Sequence, residues 1–518
     1  MARDNTLRVM STEGLDSLDP QMSVFTGAFE VIADFTDGLK QLSPDGTTVN
    51  ALCADERVSA DGLTYTYTLR SDAFWSNGDP VTAEDFVFAW RRVVDPNSGS
   101  RSPYLFTDIA HIKNAAKVLA GDLPPSSFGI TAIDSKTLQV QLSQPVPYFD
   151  DLLTLPSFYP VNEAFFQRCG NLFATSPDTL LSNGAFLVSD YTPLASHISL
   201  VKNPTYYDAQ RIALSGLEYQ TILDPGQALM NFENGDLDVI TLSGDQIEMV
   251  QDDSEYHTYK SGTFWYLSLN ISGSKEMGNL DLRRALSFAI DRKSLTQDVT
   301  ADGSTPLYSA VPPSLSFDRN GVDFTSDDAT PTLWCGLNEA KAQYYFAKAQ
   351  EALGEEKIAL TLLVDSAQVQ QNVAVVIKSE LETAFPSLVV SIKVEPKKQR
   401  VQDMFDGNYD VVLTRWTPTY PDPTATLNLF VDGSIYNTGK WHNDTFNTLM
   451  QRCISGSLVT QPEERWGALQ RAEDLLMENC VIIPLYEQSH AILLNKRVSG
   501  LSFHSLGIAR VYKDVVLH

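Results

Sequence analysis

The stretch from residue 61 to residue 92, DGLTYTYTLRSDAFWSNGDPVTAEDFVFAWRR, constrains the fold more than any other part of this chain. Apolar and polar residues alternate over residues 63–70, which is the period of a half-buried β-strand. The Asn-Gly-Asp-Pro sequence that follows favours a chain reversal, since Asn-Gly tolerates positive φ and Pro fixes its own φ. Thr82, with Asp85 three residues later, is a variant of the capping box that opens a helix. The stretch therefore predicts a strand, a turn and a helix within a mixed α/β protein.

The second half of the chain alternates between the periods of helices and strands. Asn338 is a candidate N-cap, and Gly354 lies just past the end of the helix that it would open. Strands that alternate with helices indicate a largely parallel sheet with crossover connections. The predicted elements are helices over 338–353, 366–385 and from Pro462, with strands over 358–364, 388–394, 409–413 and 481–486.

Length and charge limit the class of protein. A chain of 518 residues is too long for one hydrophobic core and implies two or three domains. It has 38 Lys and Arg against 65 Asp and Glu, a formal net charge of −27. Such a chain repels phosphates, which argues against binding to nucleic acid or to an anionic membrane surface. The charge is compatible with a soluble protein that binds neutral or cationic solutes.

The sequence contains no motif of an enzyme, a metal site or a cofactor site. It lacks GxSxG, HExxH, GxGxxG and GxxxxGK[ST], and no two of its seven histidines lie at i, i+4. We expect no catalytic residues, no metal and no cofactor. The five cysteines form no CxxC pair, and we expect most of them to be reduced thiols, with one or two disulfides as the alternative. They are Cys53, Cys169, Cys335, Cys453 and Cys480.

Several short segments together resemble the peptide/nickel family of extracytoplasmic solute-binding proteins, which deliver ligands to ABC importers. WSNGDPVTAEDF within the stretch 61–92 is similar to a segment of that family. Further similar segments occur in the family's order along nearly the whole chain, and the oligopeptide-binding proteins are the closest subgroup. These segments are LDP (18–20), FTDGL (35–39), LSQPVPYF (142–149), SNGAF (182–186), NPTYYD (203–208), DLRRALSFAIDR (281–292) and YDVVLTRWTPTYPDP (409–423).

The resemblance implies a fold and a domain plan. The implied fold is α/β, two-lobed and like that of periplasmic binding proteins (type II-like), with an additional inserted domain and the ligand in the cleft between the lobes. Lobe I would consist of discontinuous pieces, the inserted smaller domain would interrupt it, and lobe II would be continuous. The expected boundaries are 1–50, 183–262 and 488–518 for lobe I, 51–182 for the inserted domain, and 263–487 for lobe II.

The strongest candidate for ligand contact is the segment that follows the strand predicted at 409–413. Its three prolines restrict the backbone and pre-organise its polar groups. Loops at the carboxyl ends of strands commonly contact ligands in open α/β sheets, and its aromatic rings offer flat apolar surface. The alternative is a rigid loop whose rings pack on their own lobe. The candidates are Arg415, Trp416, Thr417, Pro418, Thr419, Tyr420 and Asp422.

Thr419 departs from the pattern of the oligopeptide-binding proteins. The resemblance places an aspartate at this position, where its carboxylate pairs with the α-ammonium group of the peptide. A hydroxyl cannot neutralise a buried ammonium. The amino terminus is then held differently, for example by Asp422, or the ligand is N-blocked, longer than the pocket or not a peptide. Arg415 could bind a carboxylate with two hydrogen bonds.

The resemblance adds a second set of candidate contact residues outside this segment. Tyr104 and Phe106 lie where relatives present an aromatic ring to the ligand, with a role in the core of the inserted domain as the alternative. Gln488 falls where relatives carry a tyrosine that contacts the ligand backbone. The remaining candidates are Phe25, Asn183 and Gly184.

The predicted function is that of the substrate-binding subunit of an ABC importer that captures oligopeptides and delivers them to permease subunits. An oligosaccharide or another small solute is the alternative ligand, and a secreted hydrolase is the alternative class. We expect a monomer that binds no nucleic acid. No stretch is apolar over the roughly 20 residues that a membrane span needs. The resemblance implies an extracytoplasmic location, as a periplasmic protein or a cell-surface lipoprotein, and we interpret Met1-Ala2 as an artificial start after removal of a leader.

Overall fold

The computed structural model of the chain describes residues 5–12, 14–313, 315–326 and 330–518, so the start at Met1-Ala2 lies outside the described residues. The chain divides into two compact units. The first unit comprises Met1–His257 and Ala491–His518, and the second is the continuous stretch Thr258–His490. A separate inserted domain over 51–182 stays a prediction.

A mixed sheet forms the centre of the first unit. The strand Thr6–Ser11 pairs in parallel with Gly216–Thr221 on one side and with Val239–Thr241 on the other. His197–Lys202 and Phe186–Asp190 extend the sheet by antiparallel pairing. Buried apolar side chains of these strands and of the helix Thr26–Phe35 form one core cluster.

A separate antiparallel sheet of four strands lies within the same unit. Its order is Cys53–Val58, Thr64–Leu69, Thr137–Gln141 and Ile130–Asp134. Thr64–Leu69 confirms the first predicted strand, because Tyr65, Tyr67 and Leu69 are buried while the threonines are not. The helix Ala83–Val93 also begins as predicted, with Thr82 as N-cap and the Thr82 backbone N–H donating to the Asp85 carboxylate at 2.8 Å.

The remaining elements of the first unit are short. Its other strands are Lys40–Leu42, Thr48–Asn50, Val498–Ser499, Ser502–Phe503, Arg510–Val511 and Val516–Leu517. Its other helices and helical turns are Leu105–Ile109, Ala115–Leu119, Pro125–Ser127, Phe149–Leu152, Pro156–Phe158, Glu163–Cys169, Gly170–Leu172, Pro177–Thr179, Pro225–Glu233 and Asp245–Val250.

Further strands of the same 11-stranded sheet as Thr6–Ser11 form the centre of the second unit. Their order is Leu388–Glu395, Ile358–Asp365, Val411–Trp416, Tyr256–Leu269 and Ile482–Leu494, with Thr305–Pro306 on the last strand. The first three strands are parallel, as the alternation of predicted helices and strands indicates. Tyr256–Leu269 joins them antiparallel to Val411–Trp416.

Helices cover this sheet and share its core cluster. The helix Glu339–Leu353 confirms the predicted caps, since the Asn338 side chain accepts a hydrogen bond from the Lys341 N–H and Gly354 is left-handed. The helices and helical turns of this unit are Lys275–Gly278, Leu280–Ala289, Arg292–Ser294, Leu295–Thr300, Thr330–Cys335, Glu339–Leu353, Gln368–Ala384, Lys397–Asp406, Thr424–Leu427, Asn428–Phe430, Asp444–Ile454 and Pro462–Glu478.

The short segments that carry the family resemblance hold buried polar contacts in this fold. Asp19 of LDP pairs with Arg92 at the end of the stretch 61–92, at 2.6 Å. Asp37 of FTDGL accepts hydrogen bonds from the hydroxyls of Tyr206 and Tyr207 at 2.9 and 2.6 Å. A buried carboxylate needs such partners because unpaired burial of charge is costly. These motif residues therefore stabilise the first unit.

Candidate functional site

The strand Val411–Trp416 positions the strongest group of candidate residues. It is longer than the strand predicted at 409–413, so Arg415 and Trp416 belong to the strand and not to the loop after it. The extension arises from pairing with Tyr256–Leu269, in which Trp265 lies opposite Arg415 and Phe264 opposite Trp416. Regular pairing fixes both side chains more firmly than a loop would.

Trp416 is half-buried and its ring is held in place by two contacts. Its indole Nε1–H donates to the Ala425 carbonyl oxygen at 2.9 Å. Its ring meets that of Tyr436 in an edge-to-face arrangement with centroids 4.9 Å apart. Such geometry is favourable between aromatic rings and limits the orientations of Trp416. The chain therefore offers a pre-organised indole at the end of the strand.

Two hydrogen bonds join the neighbouring strands beside Trp416. The hydroxyls of Thr417 and Thr263 are 2.8 Å apart. The Gln488 side-chain oxygen accepts a hydrogen bond from the Trp265 Nε1–H at 3.0 Å. Thr417 and Gln488, both predicted as contact residues, thus lie on either side of the strand Tyr256–Leu269, which separates their own strands. We name the surface formed by Arg415, Trp416, Thr417 and Gln488 over the buried Thr263 and Trp265 the strand-end surface.

Three residues at or beside this surface escaped the sequence analysis. Thr263 and Trp265 lie on a strand whose run of aromatic and apolar residues, FWYLSL, is typical of β-structure and could have located them. Tyr436 lies in an irregular segment, and no sequence pattern connects it with Trp416. That contact depends on the tertiary fold.

The other predicted residues of the segment differ in accessibility. Arg415 and Thr417 are exposed, and Thr419 is half-buried. Pro418 and Tyr420 are buried, and both stay proposed contact residues beside the alternative that their rings pack on their own lobe. The Arg415 guanidinium carbon lies 5.6 Å from the centroid of the Trp265 ring. A cation over an indole is a favourable arrangement that keeps the charge accessible to solvent.

Asp422 is engaged with the protein itself. Its two carboxylate oxygens accept hydrogen bonds from the Arg465 guanidinium at 2.7 and 2.8 Å, and both side chains are less than a tenth exposed. The backbone N–H of Thr424 donates to the same carboxylate at 3.0 Å. Because Arg465 already neutralises this carboxylate, the arrangement argues against the prediction that Asp422 holds the amino terminus of the ligand, which stays a prediction.

The candidates Phe25 and Tyr104 belong to the first unit and are both exposed. The Arg101 guanidinium lies 6.0 Å from the centroid of the Phe25 ring and pairs with Asp16 at 2.5 Å. Exposed aromatic rings of this kind are available to a ligand. Phe25 and Tyr104 stay proposed contact residues.

Three other candidates of the first unit are buried, and they too stay proposed contact residues. Phe106 is inaccessible and stacks on Phe158 with centroids 4.3 Å apart. The Asn183 side-chain oxygen accepts the Asp37 N–H at 2.6 Å, and the backbone N–H of Gly184 donates to the Phe35 carbonyl at 3.0 Å. The polar groups of Asn183 and Gly184 are thus hydrogen-bonded within the protein, and they position the end of the helix Thr26–Phe35.

Among the described residues, no three His, Cys, Asp or Glu side chains converge in the manner of a metal site. None of the helices in the described ranges has both the length and the apolar character needed to cross a bilayer.

Comparison with known proteins gives consistent matches over the whole chain. The sequence profile described as "Bacterial extracellular solute-binding proteins, family 5 Middle" matches residues 47–438. A dipeptide-binding protein of Lactococcus lactis subsp. cremoris (strain MG1363) is 31% identical over 514 residues, covering 97% of this chain and 92% of the relative. The periplasmic oligopeptide-binding protein OppA of Escherichia coli (strain K12) is 28% identical, covering 96% and 90%.

Solved structures agree with these matches. A substrate-binding domain of an oligopeptide ABC transporter from Bacillus anthracis str. Ames has a TM-score of 0.75 and 29% identity, with 100% of this chain and 99% of that chain covered. Listeria monocytogenes OppA bound to peptide has a TM-score of 0.74 and 29% identity, with the same coverage. The predicted two-lobed α/β fold is confirmed by these structures.

Proposed function

Because the chain belongs to the bacterial extracellular solute-binding proteins of family 5, we propose that it captures an oligopeptide and delivers it to the permease of an ABC importer. Proteins of this family bind solutes, and the chain is accordingly a binding protein and not an enzyme. The two relatives described above are named as a dipeptide-binding protein and an oligopeptide-binding protein. Those names support a peptide as the ligand here.

The observation that carries the proposal is the fixed, half-buried indole of Trp416 on the strand-end surface. It is flanked by the exposed Arg415 and Thr417, and the Gln488 side chain, two strands away in the sheet, is hydrogen-bonded to Trp265 on the strand between them. The flat ring suits an apolar side chain of a peptide, while hydroxyl and amide groups suit its backbone N–H and C=O groups. Bridging water would let such a surface accept varied side chains without a large loss of affinity.

Thermal unfolding with two ligand sets tests the proposal. A random peptide pool and a panel of oligosaccharides are added separately to the purified protein. Binding to the folded state only would add about 2.7 kcal/mol of stability at a free ligand concentration of a hundred times Kd. We expect stabilisation by peptides and none by glycans. A response to glycans alone would replace the peptide by the alternative ligand.

A pair of tryptophan variants tests whether the strand-end surface is the place of binding. Trp416→Ala is expected to weaken peptide binding at least tenfold while the protein stays folded. Trp334→Ala is the matched control, because Trp334 is also half-buried in the second unit but lies under the Arg284 guanidinium, 4.4 Å from its ring centroid. Equal affinities of the two variants would remove Trp416 from the site.

The permease as partner, a monomeric state and the mode of attachment belong to the same proposal. The family is extracellular, and we propose either a periplasmic protein or a lipid-anchored protein of the cell surface. Light scattering after size-exclusion chromatography tests the monomer. Co-purification with the permease from membranes, enhanced by added peptide, tests the partner.

A further inference from the structure

The charges beside the strand-end surface restrict which ligand groups can be held there. Asp422 lies in the segment that follows Trp416, and both of its oxygens are bound by Arg465. Using this carboxylate for a ligand ammonium would leave the Arg465 guanidinium unpaired in the interior. Such an unpaired buried charge is strongly destabilising. Asp422 is therefore unavailable as a partner for a ligand cation.

A second acidic residue beside the surface, Glu487, is also paired with a protein cation. Glu487 directly precedes Gln488, and its side chain is 4% exposed. Its carboxylate lies 3.2 Å from the Lys260 ammonium group. Burial raises the pKa of Glu487, while Lys260 opposes that shift. This carboxylate is likewise committed to a protein cation.

The exposed charge on the surface is positive. Within the described residues, the Arg415 guanidinium has no hydrogen-bond or ion-pair partner, and it lies over the Trp265 ring. Thr417 and Thr419 bring hydroxyl groups and no charge. A guanidinium presents planar, paired donors that fit a carboxylate with two hydrogen bonds. The surface thus offers an exposed cation, while the carboxylates of Asp422 and Glu487 are held by protein cations.

We infer that Arg415 holds a carboxylate group of the ligand, and that the strand-end surface does not neutralise a ligand ammonium. The inference rests on the proposed function and narrows its ligand class to peptides that bring a carboxylate to this surface. That carboxylate comes from an Asp or Glu side chain or from the carboxyl terminus. Both sources present the same group to Arg415.

Matched pentapeptide pools distinguish the sources and test the ammonium separately. All pools are randomised over Ala, Gln, Leu and Phe. One has both termini free, one is N-acetylated, one is C-amidated, and one is C-amidated with a Glu at one randomised position. Calorimetry on the intact protein gives an affinity for each pool. We expect acetylation to change affinity less than threefold and amidation without Glu to weaken binding at least tenfold. Restored affinity with Glu would assign the carboxylate to a side chain.

Two substitutions of Arg415 and one control variant tie the preference to this residue, and a fourth variant tests the amino terminus. Arg415→Gln should abolish the difference between the free and amidated pools, and Arg415→Lys should retain part of it. Arg452→Gln is the matched control, because Arg452 is exposed on the helix Asp444–Ile454 of the same unit. Thr419→Asp should add a preference for a free amino terminus, so that the pool with a free amino terminus binds more tightly than the acetylated pool.

Two results would overturn the inference while leaving the proposed function in place. One is a tenfold or larger loss on acetylation in the unmodified protein. The other is an unchanged carboxylate preference in Arg415→Gln. If none of the peptide pools bound while a glycan did, the proposed function would fail and this inference with it.

Discussion

The Trp75 indole Nε1–H donates to the carboxylate of Asp85 at 3.0 Å, which ties the turn of the stretch 61–92 to the first turn of its helix. The backbone N–H of Thr82 donates to the same oxygen at 2.8 Å. Asp85 is almost fully buried, and hydrogen bonds from Trp75 and Thr82 are the largest influences that lower its pKa. The Asp85 carboxylate thus caps the helix and holds the Trp75 indole, although burying this acidic group is unfavourable.

The first prediction concerns the pH dependence that Asp85 adds to stability. Burial raises the pKa of Asp85 from 3.8 to about 6, although the hydrogen bonds from Trp75 and Thr82 oppose the shift. The folded state therefore binds this proton more tightly than the unfolded state. The resulting stability is present below about pH 4 and is lost as pH rises through about 6, in total about 3 kcal/mol.

Asp85→Asn removes this titration while keeping an oxygen as acceptor. Denaturant unfolding of variant and parent at several pH values is the measurement. We expect the difference in free energy of unfolding to shift in favour of the variant by about 3 kcal/mol between pH 4 and pH 7. Glu84→Gln, at the exposed neighbouring position, is the control and should show a constant difference. A constant difference for Asp85→Asn as well would contradict the prediction.

The second prediction compares two glycines. A Cβ at Gly184 would lie 2.7 Å from the Phe35 carbonyl carbon and 2.8 Å from the Thr36 nitrogen. These are backbone atoms that cannot move aside easily, so Gly184→Ala should destabilise the protein by about 1–3 kcal/mol. Gly467 lies inside the helix Pro462–Glu478 with open space around its Cβ position, so Gly467→Ala should stabilise by about 1 kcal/mol. Urea midpoints of the two variants should therefore move in opposite directions.

The third prediction concerns the buried pair of Asp422 and Arg465. Arg465→Met leaves the carboxylate unpaired in the interior and should cost about 3–5 kcal/mol in urea unfolding. The double variant Asp422→Leu/Arg465→Met should recover most of that loss. The exposed pair of Arg319 and Glu463 in the same unit is the comparison, and Arg319→Met should change stability by less than about 1 kcal/mol. Similar losses at both arginines would show that burial of the pair is unimportant.

The fourth prediction concerns thiol reactivity. All five cysteines are thiols in the structure, and Cys169 alone among them is not buried. Burial raises the pKa of Cys53 and Cys335 to about 12 and that of Cys453 to about 11. Because the thiolate is the reactive form, native alkylation should label Cys169 first and the others only on unfolding. Peptide mapping by mass spectrometry identifies the site, and rapid labelling of Cys480 in the native protein would contradict the prediction.

Sequence patterns predicted those elements well that depend on interactions between residues close together in the chain. The alternation over 63–70 and the caps Thr82, Asn338 and Gly354 all appear in the structure, because caps and turns depend on neighbours within a few residues. The strand predicted at 409–413 ends at Trp416 instead, since its length is decided by pairing with a distant strand. Strand limits of this kind depend on tertiary contacts.

The candidate site was harder to predict than the fold. The partner of Asp422 is 43 positions away, so the sequence shows an acidic residue without showing that it is neutralised. Asn183 and Gly184 lie in a segment that resembles the family, and Phe106 was inferred from the same resemblance, yet all three are buried in protein contacts that the sequence does not show. A motif marks a residue that is constrained, and only the contacts show whether the constraint is structural or functional.

The order of the chain has a consequence for its synthesis. Arg510, Tyr512 and Val515 belong to the interior of the first unit, where Arg510 pairs with Glu30 at 2.8 Å. The second unit is one uninterrupted stretch and has all its strands once residue 490 has left the ribosome. The first unit begins earlier but lacks these core groups until the final residues emerge. We therefore expect the second unit of a nascent chain to fold before the first unit is complete. A pause late in translation would leave the interior of the first unit exposed.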